Sequence, residues 1–164
     1  MGGTISQLWA PVIAVGFVGL PSAGKTEIIR KLSHGQEPIP PITDTVNTTR
    51  FFQGSQEYNI FDYSGDAKLR AIWRKLLFRM RAIVFVLDST DRENVEETKE
   101  ALWQVLREEM LDPQPVLILA NKQDDPKAMS IVELIESLEI EEDLKKTRKC
   151  VRVLFGQFFK LPAD

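Results

Sequence analysis

The sequence predicts an α/β domain with a mostly parallel sheet, helices on both faces and one antiparallel hairpin edge strand. Three observations point there. Val12 to Val18, Ala82 to Leu87 and Val116 to Ala120 are continuous apolar runs, the pattern of strands buried on both faces. Segments with helical apolar spacing lie between them. Strands alternating with helices imply right-handed crossovers between parallel neighbours.

In chain order, the stretch from Met1 to Gly24 holds no charged side chain. Its start lacks the basic region of a signal peptide, and Pro11 interrupts a run barely long enough to span a bilayer, so Val12 to Val18 reads as the first strand. A glycine turn then opens a helix from Lys25 to about Leu32 that stops near Gly35. Between Thr48 and Phe61, two runs rich in Phe, Tyr and Ile flank Gln53-Gly54-Ser55-Gln56, a hairpin signal. Leu69, Ile72, Trp73, Leu76, Leu77 and Met80 form one helical stripe. Val95, Thr98, Leu102, Val105, Leu106 and Met110 form another, with Asp91 as its N-cap. Ser130 and Glu133 make a capping box ahead of Leu134, Ile135 and Leu138, and Val151 to Phe155 reads as the last strand.

A length of 164 residues suits one domain. The net charge of −3 supplies no basic field, so no nucleic-acid partner is expected. The single cysteine, Cys150, cannot close an internal disulfide and reads as a small apolar filler. The single histidine, His34, rules out a multi-histidine metal site and reads as a surface loop residue. Lys68, Arg70, Arg74, Lys75, Arg79 and Arg81 read as a solvated helix face around Trp73.

Chemistry concentrates in two motifs. Gly19-Leu20-Pro21-Ser22-Ala23-Gly24-Lys25-Thr26 has two glycines separated by four residues and followed by Lys and Thr, after a strand and before a helix. There the backbone N–H groups around Ser22, Ala23 and Gly24 can face a triphosphate, with Lys25 reaching its β and γ phosphates and the Thr26 hydroxyl a magnesium ion. Asn121-Lys122-Gln123-Asp124 follows the apolar run Val116 to Ala120, at the carboxyl edge where ligands gather in such sheets. Asp124 can accept two hydrogen bonds from guanine N1–H and the N2 amino group, a pair of donors that adenine lacks.

From Val12 to about Leu138 the chain resembles the ADP-ribosylation-factor (Arf) and Arf-like branch of the small GTPases. The resemblance rests on Gly19 to Thr26, Asp62-Tyr63-Ser64-Gly65, Leu87-Asp88-Ser89-Thr90-Asp91-Arg92, and Ala120 to Met129. It implies the phosphate-loop fold of small GTPases, with GTP or GDP and Mg2+ as cofactors. Carried onto matching positions, it implies that Asn121, Lys122 and Asp124 hold the guanine and Asp62 holds magnesium through water. The Gly65 amide would touch the γ phosphate, and Lys25 would serve the reaction. It also implies a mobile segment between Ser33 and Asn47. Ungapped counting from Asp62 places Thr43 at the threonine that joins the magnesium shell, with Thr45 as alternate because Ile42-Thr43-Asp44-Thr45 departs from the family's Pro-Thr-Ile-Gly.

Met1-Gly2-Gly3-Thr4-Ile5-Ser6 fits a myristoylation pattern at Gly2, and Ile5, Leu8 and Trp9 share one apolar helical face. Residues 1–11 are accordingly expected to be a lipidated amphipathic segment ahead of a GTPase domain at 12–164. Three departures stand out. Asp66 occupies the catalytic position where the family places the glutamine that orients water, and an ionised carboxylate has no donor to offer. Pro21 replaces a usually acidic residue. After Phe155 the family's small turn and final amphipathic helix are missing, leaving Phe155, Phe158, Phe159 and Leu161 as an apolar patch.

The resemblance implies a monomeric switch, cytoplasmic and peripheral on the cytosolic face of an intracellular membrane when GTP-bound and acylated. Its GTP form would recruit effectors in membrane traffic, served by an exchange factor and an activating protein, with slow hydrolysis. Asp66 keeps open a nonhydrolysing adaptor, and the short C-terminus a form with weak nucleotide binding. A phosphate-loop kinase would need an arginine-rich lid that the sequence does not show.

Overall fold

The computed structural model describes residues 11–34, 39–43, 46–111, 114–146 and 150–155. The strands among the described residues are β1 (Ile13–Val18), β2 (Ile39–Thr43), β3 (Val46–Gln53), β4 (Gln56–Tyr63), β5 (Ala82–Asp88), β6 (Val116–Asn121) and β7 (Val151–Phe155). The helices among the described residues are α1 (Lys25–Leu32), α2 (Ala67–Arg70), α3 (Trp73–Leu77), α4 (Val95–Leu106), α5 (Ile131–Ser137) and α6 (Ile140–Lys146).

The strands form one sheet in the order β2-β3-β4-β1-β5-β6-β7. β1 pairs in parallel with β4 and β5, and β6 in parallel with β5 and β7. β3 is antiparallel to both β2 and β4. The expected hairpin is present, turning at Gly54 with φ 60°. Its edge carries one strand more than the sequence indicates, because β2 lies inside the segment expected to be mobile. Pro40 and Pro41 hide that strand from a propensity reading, yet an edge strand is where a residue without an N–H donor is tolerated.

Two helical expectations are corrected. The stripe from Leu69 to Met80 is two short helices, not one. Bonds from Ile72 N to Leu69 O and from Lys75 N to Ile72 O tighten the chain between them, while Trp73, Leu77 and Met80 stay buried. Apolar spacing does not register such a tightening. α4 starts after Asn94, and the Asp91 carboxylate instead holds the Asn94 backbone and side-chain amides at 3.1 and 2.9 Å. α4 also stops at Leu106, leaving Met110 exposed in a 3₁₀ turn. The Ser130–Glu133 capping box forms as expected. Arg70 is not solvated: it is 8% exposed and donates to Glu97 of α4. Cys150 is exposed rather than a filler.

The alternating side chains of β5 separate two cores. Ile83, Phe85 and Leu87 join Leu77, Leu102, Leu106, Ile118 and Leu138 on one face. Val84 and Val86 join Phe17, Ile28, Ile29, Ile60 and Leu119 on the other. Each such side chain, fully buried, contributes about 1.5–3 kcal/mol. The parallel register brings the carboxyl ends of β1, β4, β5 and β6 to one edge, where Val18, Tyr63, Asp88 and Asn121 hand over to loops. Residues 1–10 and 156–164 lie outside the described residues, and with them Gly2 and the expected missing turn and helix.

Candidate functional site

The loop from β1 to α1 is held in a conformation that few side chains favour. Ser22 and Gly24 have φ of 61° and 92°, and a Cβ on Gly24 would lie 2.3 Å from Asn121 Nδ2. Among the described residues, the amides of Ser22, Ala23, Gly24, Lys25 and Thr26 find no acceptor. These orphan donors sit at the positive end of α1, the setting that takes phosphate. Lys25 is buried, and its Nζ donates to the carbonyls of Gly19 at 2.9 Å and Leu20 at 2.8 Å. Burial lowers its pKa, against the opposing charge of Asp62. The Thr26 hydroxyl donates to Asp62 Oδ2 at 2.5 Å. Burial raises the Asp62 pKa, against that hydrogen bond and Lys25.

Thr26 and Asp62 thus present two hard oxygens side by side, a fit for magnesium. Among the described residues no cluster of three or more His, Cys, Asp or Glu could hold a metal. An ion here would draw its other ligands from phosphate and water, as magnesium commonly does.

Gly65 lies directly against the phosphate loop: a Cβ there would meet Gly19 O at 2.4 Å and Pro21 N at 2.6 Å. The preceding carbonyl, of Ser64, accepts from Trp73 Nε1 at 3.1 Å. Asp66 is exposed, and its carboxylate accepts from Lys68 N at 2.8 Å, capping α2.

At the other end, Asn121 closes β6 and is 1% exposed. Its Nδ2 donates to Ala23 O at 2.9 Å, joining the two motifs, and its Oδ1 is buried without a partner among the described residues. Lys122 has φ 62° and ion-pairs with Asp88 Oδ2 at 2.6 Å. Burial pushes Asp88 up, but hydrogen bonds from Lys122 and Thr90 outweigh it and hold its pKa below the usual carboxylate value. Gln123 Nε2 donates to Ser89 Oγ at 2.7 Å and Met129 O at 3.3 Å, while Met129 N donates to Ser89 O at 2.7 Å. Asp124 is exposed and bonds to no other described residue.

Gly19 to Thr26, Asp62, Gly65, Asn121, Lys122 and Asp124 therefore line one edge of the sheet. Asp66 sits beside them but is turned to its own helix. Thr43 ends β2, paired with Val46, and its side chain, like Thr45, lies outside the described residues. Sequence reasoning gave no role to Asp88, Ser89, Gln123 or Trp73. The signal for Asp88 was its place at the end of β5, where register sets it opposite Asn121.

Known proteins share this fold. Residues 6–155 match the model of the ADP-ribosylation factor family. Among solved structures, the Arl6 BBS3 small GTPase from Trypanosoma brucei, with a bound nucleotide analogue GppNp, is similar with a TM-score of 0.74 and 26% identity. The match covers 90% of this chain and 88% of that one.

Proposed function

The chain belongs to the ADP-ribosylation factor family, and from that premise we propose that it is a guanine-nucleotide switch whose GTP form recruits effectors at a membrane. The observation that carries the proposal is the Asn121–Ala23 hydrogen bond, which fastens a base-reading loop to a phosphate loop with Asp124 left free. On binding, Lys25 exchanges the carbonyls of Gly19 and Leu20 for β and γ phosphate oxygens, and the amides of Ser22 to Thr26 take up others. Asp124 accepts from guanine N1–H and N2, and Asn121 and Lys122 hold the loop around the base. Magnesium, held by Thr26 and through water by Asp62, would supply charge neutralisation on the phosphates. Contact of the Gly65 amide with the γ phosphate is the point at which GTP and GDP differ, so the segment from Ser64 to Trp73 is the reporter of nucleotide state.

Residues 1–11 are the proposed membrane segment, through acylated Gly2 and the Ile5, Leu8 and Trp9 face. Among the described residues no helix is long and apolar enough to cross a membrane.

Hydrolysis is proposed to be slow. The Asp66 carboxylate is engaged by Lys68 N, and an ionised carboxylate cannot donate to a phosphoryl oxygen while it accepts from the attacking water. That same capping contact favours a second reading, a GTP-binding adaptor that does not turn over. Denaturing the purified protein and weighing the released nucleotide tests the first claim, and an adenine nucleotide would refute it. Single-turnover phosphate release then separates the two readings. A rate on the order of 10⁻⁴ per second marks a slow switch, and none marks an adaptor.

A further inference from the structure

The segment from Ser64 to Leu77 is fastened at its start and again on its far side. At the start, Ser64 O accepts from Trp73 Nε1 at 3.1 Å, and Asp66 O accepts from Leu69 N at 2.9 Å and from Arg70 N at 3.0 Å. Gly65, pressed against Gly19 and Pro21, is thereby joined to α2 and to the buried Trp73. On the far side two ion pairs reach across to α4. Arg70 Nη2 donates to Glu97 Oε1 in the first turn of that helix, and Arg74 Nε lies 2.8 Å from Glu108 Oε2, two residues past its end. α4 is itself seated in the core through the fully buried Leu102, Val105 and Leu106.

Between the two ion pairs lies a cavity of about 770 Å³, with Ala67 and Ala71 on one wall and Trp103 and Gln104 on the other. Where α2 faces α4, the arginines rather than the small side chains span the gap. The Arg70 side chain is 9% exposed, and a buried guanidinium parted from its carboxylate is costly, so Arg70 resists any position of α2 that leaves Glu97 behind. The Arg74 side chain is 66% exposed, and its pairing holds less.

We propose that Arg70 and Glu97, seconded by Arg74 and Glu108, keep Gly65 at the phosphate loop before nucleotide arrives and so set the preference for GTP over GDP. On the guanine-nucleotide reading of the site, on which this inference rests, a γ phosphate meets the Gly65 amide and GDP offers nothing there. Affinity for the triphosphate then scales with the fraction of molecules that have Gly65 in place, whereas affinity for the diphosphate does not. Arg70 and Glu97 are positioning residues that act through Gly65.

The test is equilibrium binding of GDP and of a nonhydrolysable GTP analogue, with magnesium, to the full-length chain. Glu97→Ala is expected to weaken the analogue by at least about fivefold and GDP by less than about twofold. Glu97→Asp, which keeps the charge, should recover part of that loss, and Glu108→Ala should give a smaller loss of the same kind. If Glu97→Ala does not melt cooperatively, Arg70→Met together with Glu97→Ala removes both charges and carries the same expectation. Equal weakening of the two nucleotides, or no change in either, overturns the proposal and leaves the ion pairs as struts. A wild type that binds neither nucleotide overturns the guanine reading itself, and the proposal with it.

Discussion

Ala23 in the phosphate loop and Asn121 in the base loop are 98 positions apart and meet through one hydrogen bond, yet their loops are readied for a ligand in opposite ways. In the phosphate loop the reactive groups hold one another: Lys25 bonds to carbonyls of its own loop, and Thr26 to Asp62. On the proposed function, phosphate would displace those contacts. In the base loop, Lys122–Asp88 and Gln123–Ser89 form a scaffold that leaves Asp124 free of other described residues. On the proposed function, one half would exchange partners on binding, and the other is already arranged. Affinity that resides in the phosphates should therefore be sensitive to switching, and choice of base should not.

The largest expected effect tests the arranged half. Asp124→Asn presents an amide N–H to the guanine donors, and should lower the preference for GTP over XTP by about 10⁴, the scale of sites built on hydrogen bonds. Affinities for GTP, XTP and ATP measure it, and unchanged GTP binding would remove Asp124 from the base site. Next comes the joint between the halves. Gly24→Ala combines a left-handed residue with a clash against Asn121, and should weaken GTP and GDP alike by at least about tenfold, since αL alone costs about 1–2 kcal/mol. A loss confined to GTP would mean that the loops act separately.

Acid should loosen the base loop selectively. Asp88 has a folded pKa below its ordinary value of 3.8, so its contribution is fully present above that value and is lost as pH falls through the folded one. The stability difference between wild type and Asp88→Asn should shrink below about pH 4, by urea unfolding across pH. Alkali should instead reach the segment behind the phosphate loop. Burial raises Tyr63 to about 12, so its contribution is whole below pH 10 and disappears as pH rises through 12. Tyr63→Phe should flatten that loss. The smallest effect concerns Asp66. Its replacement by Ala should cost about 1 kcal/mol as a lost cap. Asp66→Gln should raise single-turnover hydrolysis, and a fall would show that the carboxylate assists.

The strands with long apolar runs were legible because a strand buried on both faces has no period to disguise. The Ser130–Glu133 box was legible because its bonds are local. β2 was not, since Pro40 and Pro41 argue against a strand unless one knows it lies at an edge. The division of the Leu69–Met80 stripe was also hidden, because two tight helices and one longer helix bury the same Trp73, Leu77 and Met80. Within the candidate site, the phosphate and base motifs were visible as contiguous residues. Asp88, Ser89 and Trp73 were not assigned, since their roles come from parallel register and from a carbonyl nine residues away rather than from spacing. Asp66 was visible as a departure, but its turn toward Lys68 needed coordinates.

The bond between Asn121 and Ala23 also bears on how the chain comes to be folded. A contact spanning 98 residues depends on β1, β5 and β6 being in register, and such distant pairings form slowly. Partly folded chains would hold the phosphate loop without the base loop, and so would have little hold on a whole nucleotide. Nucleotide then acts on the finished state alone, adding about 2.7 kcal/mol at a hundred times its dissociation constant. The chain in a cell would owe part of its persistence, and part of its escape from proteolysis, to the nucleotide concentration around it.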